Sequence, residues 1–391
     1  MSIAIVGGAV ANKPLNGGEA WVRLSWILGL RRLGFDVYFA EVLAADACVG
    51  ETGQPASFEE SINRAHLEAV VDEFGLDRRV ALLDESGNSL YGLAAEEMCE
   101  VARDADVLFD LSGHLGRRAG AAGARRRVYV DLDPGFTQAW HADPALAFSV
   151  AGYDRHVTVG LNVGSAGCSV PSAGVDWIPT LPPILLDEWA PTPTPAGGGV
   201  LRFTSVATWR TPFGAVEIGG RVLGLKHHEF RRLLELPELV EEAEFELALN
   251  IHSADAADRE ALEDHGWRIV SPRDVAASPG AFRDYVRASG AELSVAQPAY
   301  VETRSGWFSD RSAAYLAAGR PALVQDTGVG AHLKLGEGLL TFSSPSEAVE
   351  RVRQILADPE SHRAAAREIA ETHLDSDVVL GGLLETLGSG G

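Results

Sequence analysis

Short apolar runs alternate with helix-like segments along most of the sequence, and one proline- and glycine-rich stretch interrupts the alternation. That repeated strand–helix rhythm constrains the fold more than any other feature. The first unit is "IAIVGG", a buried strand, followed by "GGEAWVRLSWILGLRRLG". In the second segment Trp21, Leu24, Ile27, Leu28 and Leu30 recur near helical spacing, and Gly34 stops the helix. "FDVYFAEVL", "DADVLFDLS" and "RRVYVDLD" are apolar runs closed by polar residues, as strands of a parallel sheet are, and "HVTVGLNVG" adds another. Strands alternating with helices predict an α/β fold.

The interruption is "WIPTLPPILLDEWAPTPTPAGGG", too rich in proline and glycine for one regular element, and it reads as a linker. Beyond it the rhythm resumes. "VLRFTSVATW", "FELALNIH", "GWRIVSP", "AELSVAQ" and "PALVQD" read as strands, with helices such as "KHHEFRRLLELP" and "GAFRDYVRASG" between them and a helical tail. A chain of 391 residues exceeds one ordinary core. The expectation is two Rossmann-like domains facing a central cleft: residues 1–185, a linker over 186–199, residues 200–365, and a terminal helix over 366–391.

Charge and cysteine content narrow the function. The sequence carries 33 basic and 55 acidic residues, a net charge of −22, which argues against a surface that coats nucleic acid. A locally positive pocket for a phosphate-bearing small ligand is compatible with that balance. Cys48, Cys99 and Cys168 lie far apart, with neither a disulfide framework nor zinc-ligand spacing, as befits the cytoplasm. No run of 18 apolar residues spans a membrane, and "MSIAIVGGAV" lacks the basic start of a signal peptide.

Candidate site residues sit where strands end. The loop "GGAVANKPLNGG" joins a strand to a helix, where backbone amides and the helix dipole favour an anion. Gly17 and Gly18 would let a phosphate approach; the alternative is that they only turn the chain. The spacing is neither the dinucleotide fingerprint nor a Walker A loop. Glu19 reads as a helix-start residue. His114 follows "DVLFDLSG", at the strand edge where open sheets bind ligands, and can act as acid, base or hydrogen-bond donor. In "VDLDPGFTQ", Asp133 and Gln138 could hold polar substrate groups, while Asp131 suits the Pro134-Gly135 turn. That Asp-Leu-Asp is a poor metal site, and no other is evident; the adjacent His227 and His228 point apart on a helix.

In the second half Arg210 follows the strand "SVATW", and Lys226 lies in "GLKHHEF"; together they could neutralise a diphosphate. The segment "YVETRSGWFSDRSAAYLAAGRPALVQDTG" places a loop before a helix. Arg304, Ser305, Gly306, Trp307, Phe308, Ser309 and Arg311 are its candidate anion-binding and wall residues. Asp310 is either the N-cap of that helix or a site residue.

These motifs carry a resemblance. "GGEAWVRLSWILGLRRLGFDVYFAE", "SVATWR" with Lys226, and "SAAYLAAGRPALVQDTG" are similar to motifs of GT-B glycosyltransferases, especially the retaining class related to family 4 and an actinobacterial-type group of such sequences. The resemblance spans most of the chain. It implies that the terminal helix crosses back to the N-terminal domain. It implies a UDP- or GDP-sugar donor on the C-terminal domain and a small-molecule or glycan acceptor on the N-terminal domain, with no dinucleotide cofactor and no catalytic metal. It also implies that Gly17, Gly18, Arg210, Lys226 and the 304–311 segment meet the donor, while His114 lines the acceptor side. The class carries two glutamates eight positions apart, and Gly306 and Ala314 stand there in this chain. Asp310 and Glu302 are the nearby carboxylates. A nucleotide-sugar epimerase or a non-catalytic nucleotide-sugar-binding protein are the alternatives on the same fold.

Overall fold

Each βα series closes its own sheet. The computed structural model describes residues 2–116, 123–192, 200–211 and 214–389. The N-terminal sheet holds β1 (Ile3–Gly7), β2 (Asp36–Leu43), β3 (Val80–Asp84), β4 (Ser89–Gly92), β5 (Val107–Leu111), β6 (Arg127–Asp131), β7 (Arg155–Thr158) and β8 (Trp177–Pro179). Their order is β4-β3-β2-β1-β5-β6-β7-β8, parallel except for the β3–β4 hairpin. The second sheet is fully parallel, in the order β13-β12-β9-β14-β15-β16. It is built from β9 (Leu201–Thr208), β12 (Ala243–Asn250), β13 (Arg268–Val270), β14 (Ala291–Ser294), β15 (Ala322–Gln325) and β16 (Leu339–Phe342). A small hairpin, β10 (Val216–Ile218) and β11 (Arg221–Leu223), is inserted after β9 and escaped the sequence reading, as did β3 and β4.

The N-terminal helices are α1 (Gly17–Arg32), α2 (Ile62–Glu73), α3 (Ala95–Asp104) and α4 (Phe136–Ala142). After the linker come α5 (Lys226–Arg232), α6 (Leu236–Leu239), α7 (Ala256–Asp264), α8 (Pro272–Val275), α9 (Pro279–Ala288), α10 (Pro298–Glu302) and α11 (Asp310–Ala317). The tail forms α12 (Pro345–Ala357), α13 (Pro359–Ile369) and α14 (Ser376–Ser389). Helix α14 crosses back onto α1 of the first domain. A Cβ at Gly29 would lie 2.7 Å from Leu380 and 2.9 Å from Ser376, so glycine permits this close approach. Among the described residues no helix is long and apolar enough to cross a membrane.

Strand order fixes where a ligand can sit. In the first sheet the chain leaves β1 toward β2 on one side and returns with β5 on the other. In the second, β9 leads to β12 on one side and β14 lies on the other. Crevices outside such switch points are where open α/β sheets bind ligands, and both face the cleft.

The domains are clasped at Thr303–Trp307, the segment expected to floor a donor pocket. The Asn162 amide donates to the Ser305 carbonyl at 2.9 Å, and the Ser169 amide to that of Thr303 at 2.9 Å. The Asn162 side chain donates to the carbonyls of Arg304 and Gly328 at 3.0 and 3.1 Å. Gly306 has a φ of +72° and a Cβ there would lie 2.8 Å from the Asn162 backbone nitrogen, so the position excludes a glutamate. Gly306→Ala is expected to cost about 1–3 kcal/mol, read as a lower midpoint in urea unfolding with an unchanged slope.

Candidate active site

The cleft between the switch points has a volume of about 590 Å³. On the N-terminal side it is lined by Pro14 to Asn16, Gly18 and Glu19. On the C-terminal side the ends of β9, β12 and β13 contribute Thr208, Asn250 and Ser271, and Ser309, Asp310, Arg311 and Ala314 come from α11. Lys226, Arg259 and Arg273 supply positive charge to the lining.

The β1–α1 loop is anchored from beneath. Glu41, fully buried in β2, accepts the amides of Val10, Ala11 and Asn12 at 2.8, 2.9 and 2.7 Å. Burial pushes its carboxyl up to about 7 against the pull of these amides. The loop amides therefore hold a protein carboxylate, not a ligand. Asn16, by accepting from the Glu19 amide at 3.2 Å, caps α1. Gly17 does not offer its amide to a phosphate, as the sequence suggested; it donates to Ala276 of the other domain at 2.8 Å. A Cβ at Gly17 would meet the Ser278 carbonyl at 2.0 Å, so this glycine admits the second domain. Gly18 lines the cleft and packs against Phe282.

Glu19, read from sequence only as a helix-start residue, lines the cleft from the first turn of α1. It is ion-paired to Arg23 one turn later, whose side chain is 3% exposed against 39% for Glu19. Burial would raise the Glu19 carboxyl, but Arg23, with Lys13 and His114, outweighs it and holds the group below its usual range. The signal for Glu19 was its place directly after the glycine pair at a strand-end loop.

His114 sits on the loop after β5, half-buried. Asp110 shapes that loop by accepting the amides of Leu115 and Gly116 at 3.1 and 2.9 Å. Burial, with Arg23 and Lys13 nearby, pushes the His114 imidazolium down to about 4. At neutral pH it is an uncharged ring that can donate or accept a hydrogen bond.

Asp133 accepts from the Tyr300 hydroxyl of the other domain at 2.7 Å. Burial, then the negative charges of Asp131, Glu19 and Asp310, push it up to about 6, opposed by the Tyr300 bond. Gln138, expected on the acceptor side, is fully buried: it donates to Asp131 at 2.7 Å and accepts from Gly135 at 2.6 Å. Both ends of its amide are committed to the turn, so it is a scaffold residue.

Across the cleft Arg210 is also a correction. Its guanidinium forks onto Asp255, with Nε at 2.8 Å and Nη2 at 2.5 Å, and it does not line the cleft. Lys226 does. Burial, then repulsion from Arg311, pushes its ammonium down to about 7, against the attraction of Glu292. Arg311 bridges the strands at the second switch point and lines the cleft: it donates to Glu292 at 2.7 Å, to the Val206 carbonyl of β9 at 2.8 Å and to Ser294 of β14 at 2.7 Å.

The preceding segment departs from expectation throughout. Arg304 is exposed and 3.7 Å from Asp326, Ser305 is buried, Gly306 abuts Asn162, Trp307 packs on Tyr300 with centroids 4.6 Å apart, and Phe308 is a core residue. The carbonyls of Arg304 and Ser305 bond to Asn162 of the other domain, and none of these five residues lines the cleft. Glu302 is ion-paired with Arg221 of the inserted hairpin. Ser309, not Asp310, caps α11, accepting from the Arg311 amide at 3.2 Å. Asp310 is the first helical residue, one turn before Ala314, and both line the cleft. Burial and the nearby Glu19 raise its carboxyl, with Arg311 and Arg23 opposing. Among the described residues no group of His, Cys, Asp or Glu is placed to hold a metal ion.

A family profile described as glycosyl transferase-like matches residues 231–377. No curated protein matches the sequence. Solved structures share the whole fold at low identity. HepE from Anabaena in complex with UDP-glucose superposes with a TM-score of 0.60 and 11% identity over 99% of this chain and 100% of that one. A glycosyltransferase from Rickettsia africae gives 0.57 and 10% over 98% and 97%. Sucrose-phosphate synthase from Thermosynechococcus elongatus gives 0.53 and 12% over 100% of both. The fold is therefore GT-B, with the terminal helix returned to the first domain.

Proposed function

We propose that the chain is a glycosyltransferase that moves a sugar from a UDP-sugar to an acceptor hydroxyl or amine. The observation that carries this reading is the cleft itself: a half-buried lysine and a capped helix N-terminus at one switch point face carboxylates from both domains. The glycosyl transferase-like match over 231–377 and the UDP-glucose bound by HepE support the choice of donor. Residues 200–365 serve as donor domain and residues 1–185 as acceptor domain, joined through 186–199, of which 193–199 lie outside the described residues.

In this reading Lys226 and the α11 N-terminus meet the diphosphate, with the Arg311 guanidinium beside them. Leu249 to Ile251 and Val270 to Arg273 flank the nucleoside. Asp310 takes the acidic role of the class from one turn before Ala314. It contacts the sugar and accepts the acceptor's proton as the new bond to the anomeric carbon forms and the bond to the diphosphate breaks. Neutral His114 and Asp133 orient the acceptor. The cations and helix dipole supply the leaving-group charge stabilisation, so no metal is required. UDP release from a panel of UDP-sugars, with and without candidate acceptors, tests the reading. Acceptor-dependent release supports it, an epimerised donor would make the chain an epimerase, and binding without turnover would make it a sensor.

Lys226 gives the donor site a pH signature. With its pKa near 7 in the empty protein, the lysine is largely neutral at pH 8, and a diphosphate draws a proton onto it. UDP binding at pH 8 is expected to take up a proton. Affinity should fall as pH rises above 7, because that uptake becomes harder. Calorimetry in buffers of different ionisation enthalpy reads both effects, and Lys226→Met should abolish them.

A further inference from the structure

We propose that Glu19 is a catalytic residue, the carboxylate that faces the positive charge developing on the transferred sugar. The inference rests on the transferase reading of the same cleft. When the bond between the anomeric carbon and the diphosphate breaks, its electron pair leaves on the diphosphate and the ring gains oxocarbenium character. Such a transition state has a negative end and a positive end, and a preorganised site stabilises both. Lys226 and the α11 N-terminus occupy the negative end. At the other end stands Glu19, which lines the same cleft from the opposite domain.

Three features fit Glu19 for this and not for a solely structural role. Arg23 pairs with it from within the domain, its side chain 3% exposed, so the ionised carboxylate is fixed in orientation while 39% of the Glu19 side chain stays exposed. The Asn16 cap and the contact of Gly18 with Phe282 set the first turn of α1 at the domain junction. Finally, Glu19 and Asp310 are neighbours with opposed environments: Arg23 keeps Glu19 ionised, whereas burial and Glu19 itself raise Asp310. Two carboxylates whose proton affinities are pushed apart divide into one that holds charge and one that takes a proton. The acceptor oxygen bonds to the anomeric carbon, its proton passes to Asp310, and Glu19 remains ionised throughout.

The test uses the full chain with UDP and the UDP-sugar that the parent turns over fastest, water serving as acceptor if no other is found. Glu19→Gln is expected to bind UDP within about threefold of the parent and to turn over about a hundredfold more slowly, the pattern of an interaction made in the transition state. Glu19→Ala is expected to regain rate with azide or formate, which fit the vacated space as anions. Equal turnover by Glu19→Gln and the parent would overturn the inference, as would a loss of UDP affinity that accounts for the whole rate loss. If Glu19→Gln fails to fold, Glu19→Asp replaces it, and a rate unaffected by the shortened carboxylate would overturn the inference. A parent that neither binds UDP nor consumes any UDP-sugar would instead refute the transferase reading.

Discussion

Asp310→Asn is expected to lower sugar transfer about a thousandfold while UDP affinity changes little. General-base participation contributes about 10²- to 10⁴-fold, and the amide cannot accept the proton. The substitution keeps shape and helix position, and because Ser309 provides the α11 cap, its stability cost is small. A residue acting as N-cap would behave in the opposite way, losing stability and not rate. Thermal unfolding and steady-state kinetics on the same sample separate the two. A folded variant with parental turnover would remove Asp310 from the chemistry.

Lys226→Ala is expected to weaken UDP binding by about 3 kcal/mol, roughly 150-fold, because truncating a partly desolvated cation leaves the diphosphate charge without its partner. Arg210→Ala should leave affinity unchanged, since Asp255 already engages that guanidinium. The contrast matters because the sequence offers both cations equally: each lies near the end of a strand, and nothing in either neighbourhood announces which has an internal carboxylate. Asp255 is 45 residues away from Arg210 in sequence, and only the fold brings them together.

The same distinction separates what was legible in sequence from what was not. The βα rhythm and the two Rossmann-like sheets followed from local apolar patterning, which is how strands such as "IAIVGG" declare themselves; β8 did not, because Trp177–Pro179 opens the proline-rich stretch that reads as a linker. Lys226, named in "GLKHHEF" as the companion of Arg210, and Asp310, named at a predicted helix start, both line the cleft. The clasp at 303–307 was not legible, because its partners, Asn162 and Ser169, belong to the other domain. Gly17 was misread for a related reason: glycine before a helix suits a phosphate and a close-packed partner equally, and Ala276 and Ser278 decide between them. Gln138 looked like a substrate group because a glutamine after a turn is usually exposed, whereas Asp131 draws it inward. Glu19 read only as a helix-start residue, because its place in the cleft lining depends on the approach of the second domain.

The central claim, that a nucleotide diphosphate binds at the β9–β14 switch point beside Lys226, is tested most directly by calorimetric titration of UDP, with GDP as comparison, into the parent, Lys226→Ala and Arg210→Ala. UDP is expected to bind the parent saturably, about 150-fold more weakly to Lys226→Ala, and with parental affinity to Arg210→Ala. A parent without affinity for UDP, or a Lys226→Ala variant that binds it as the parent does, would contradict the claim.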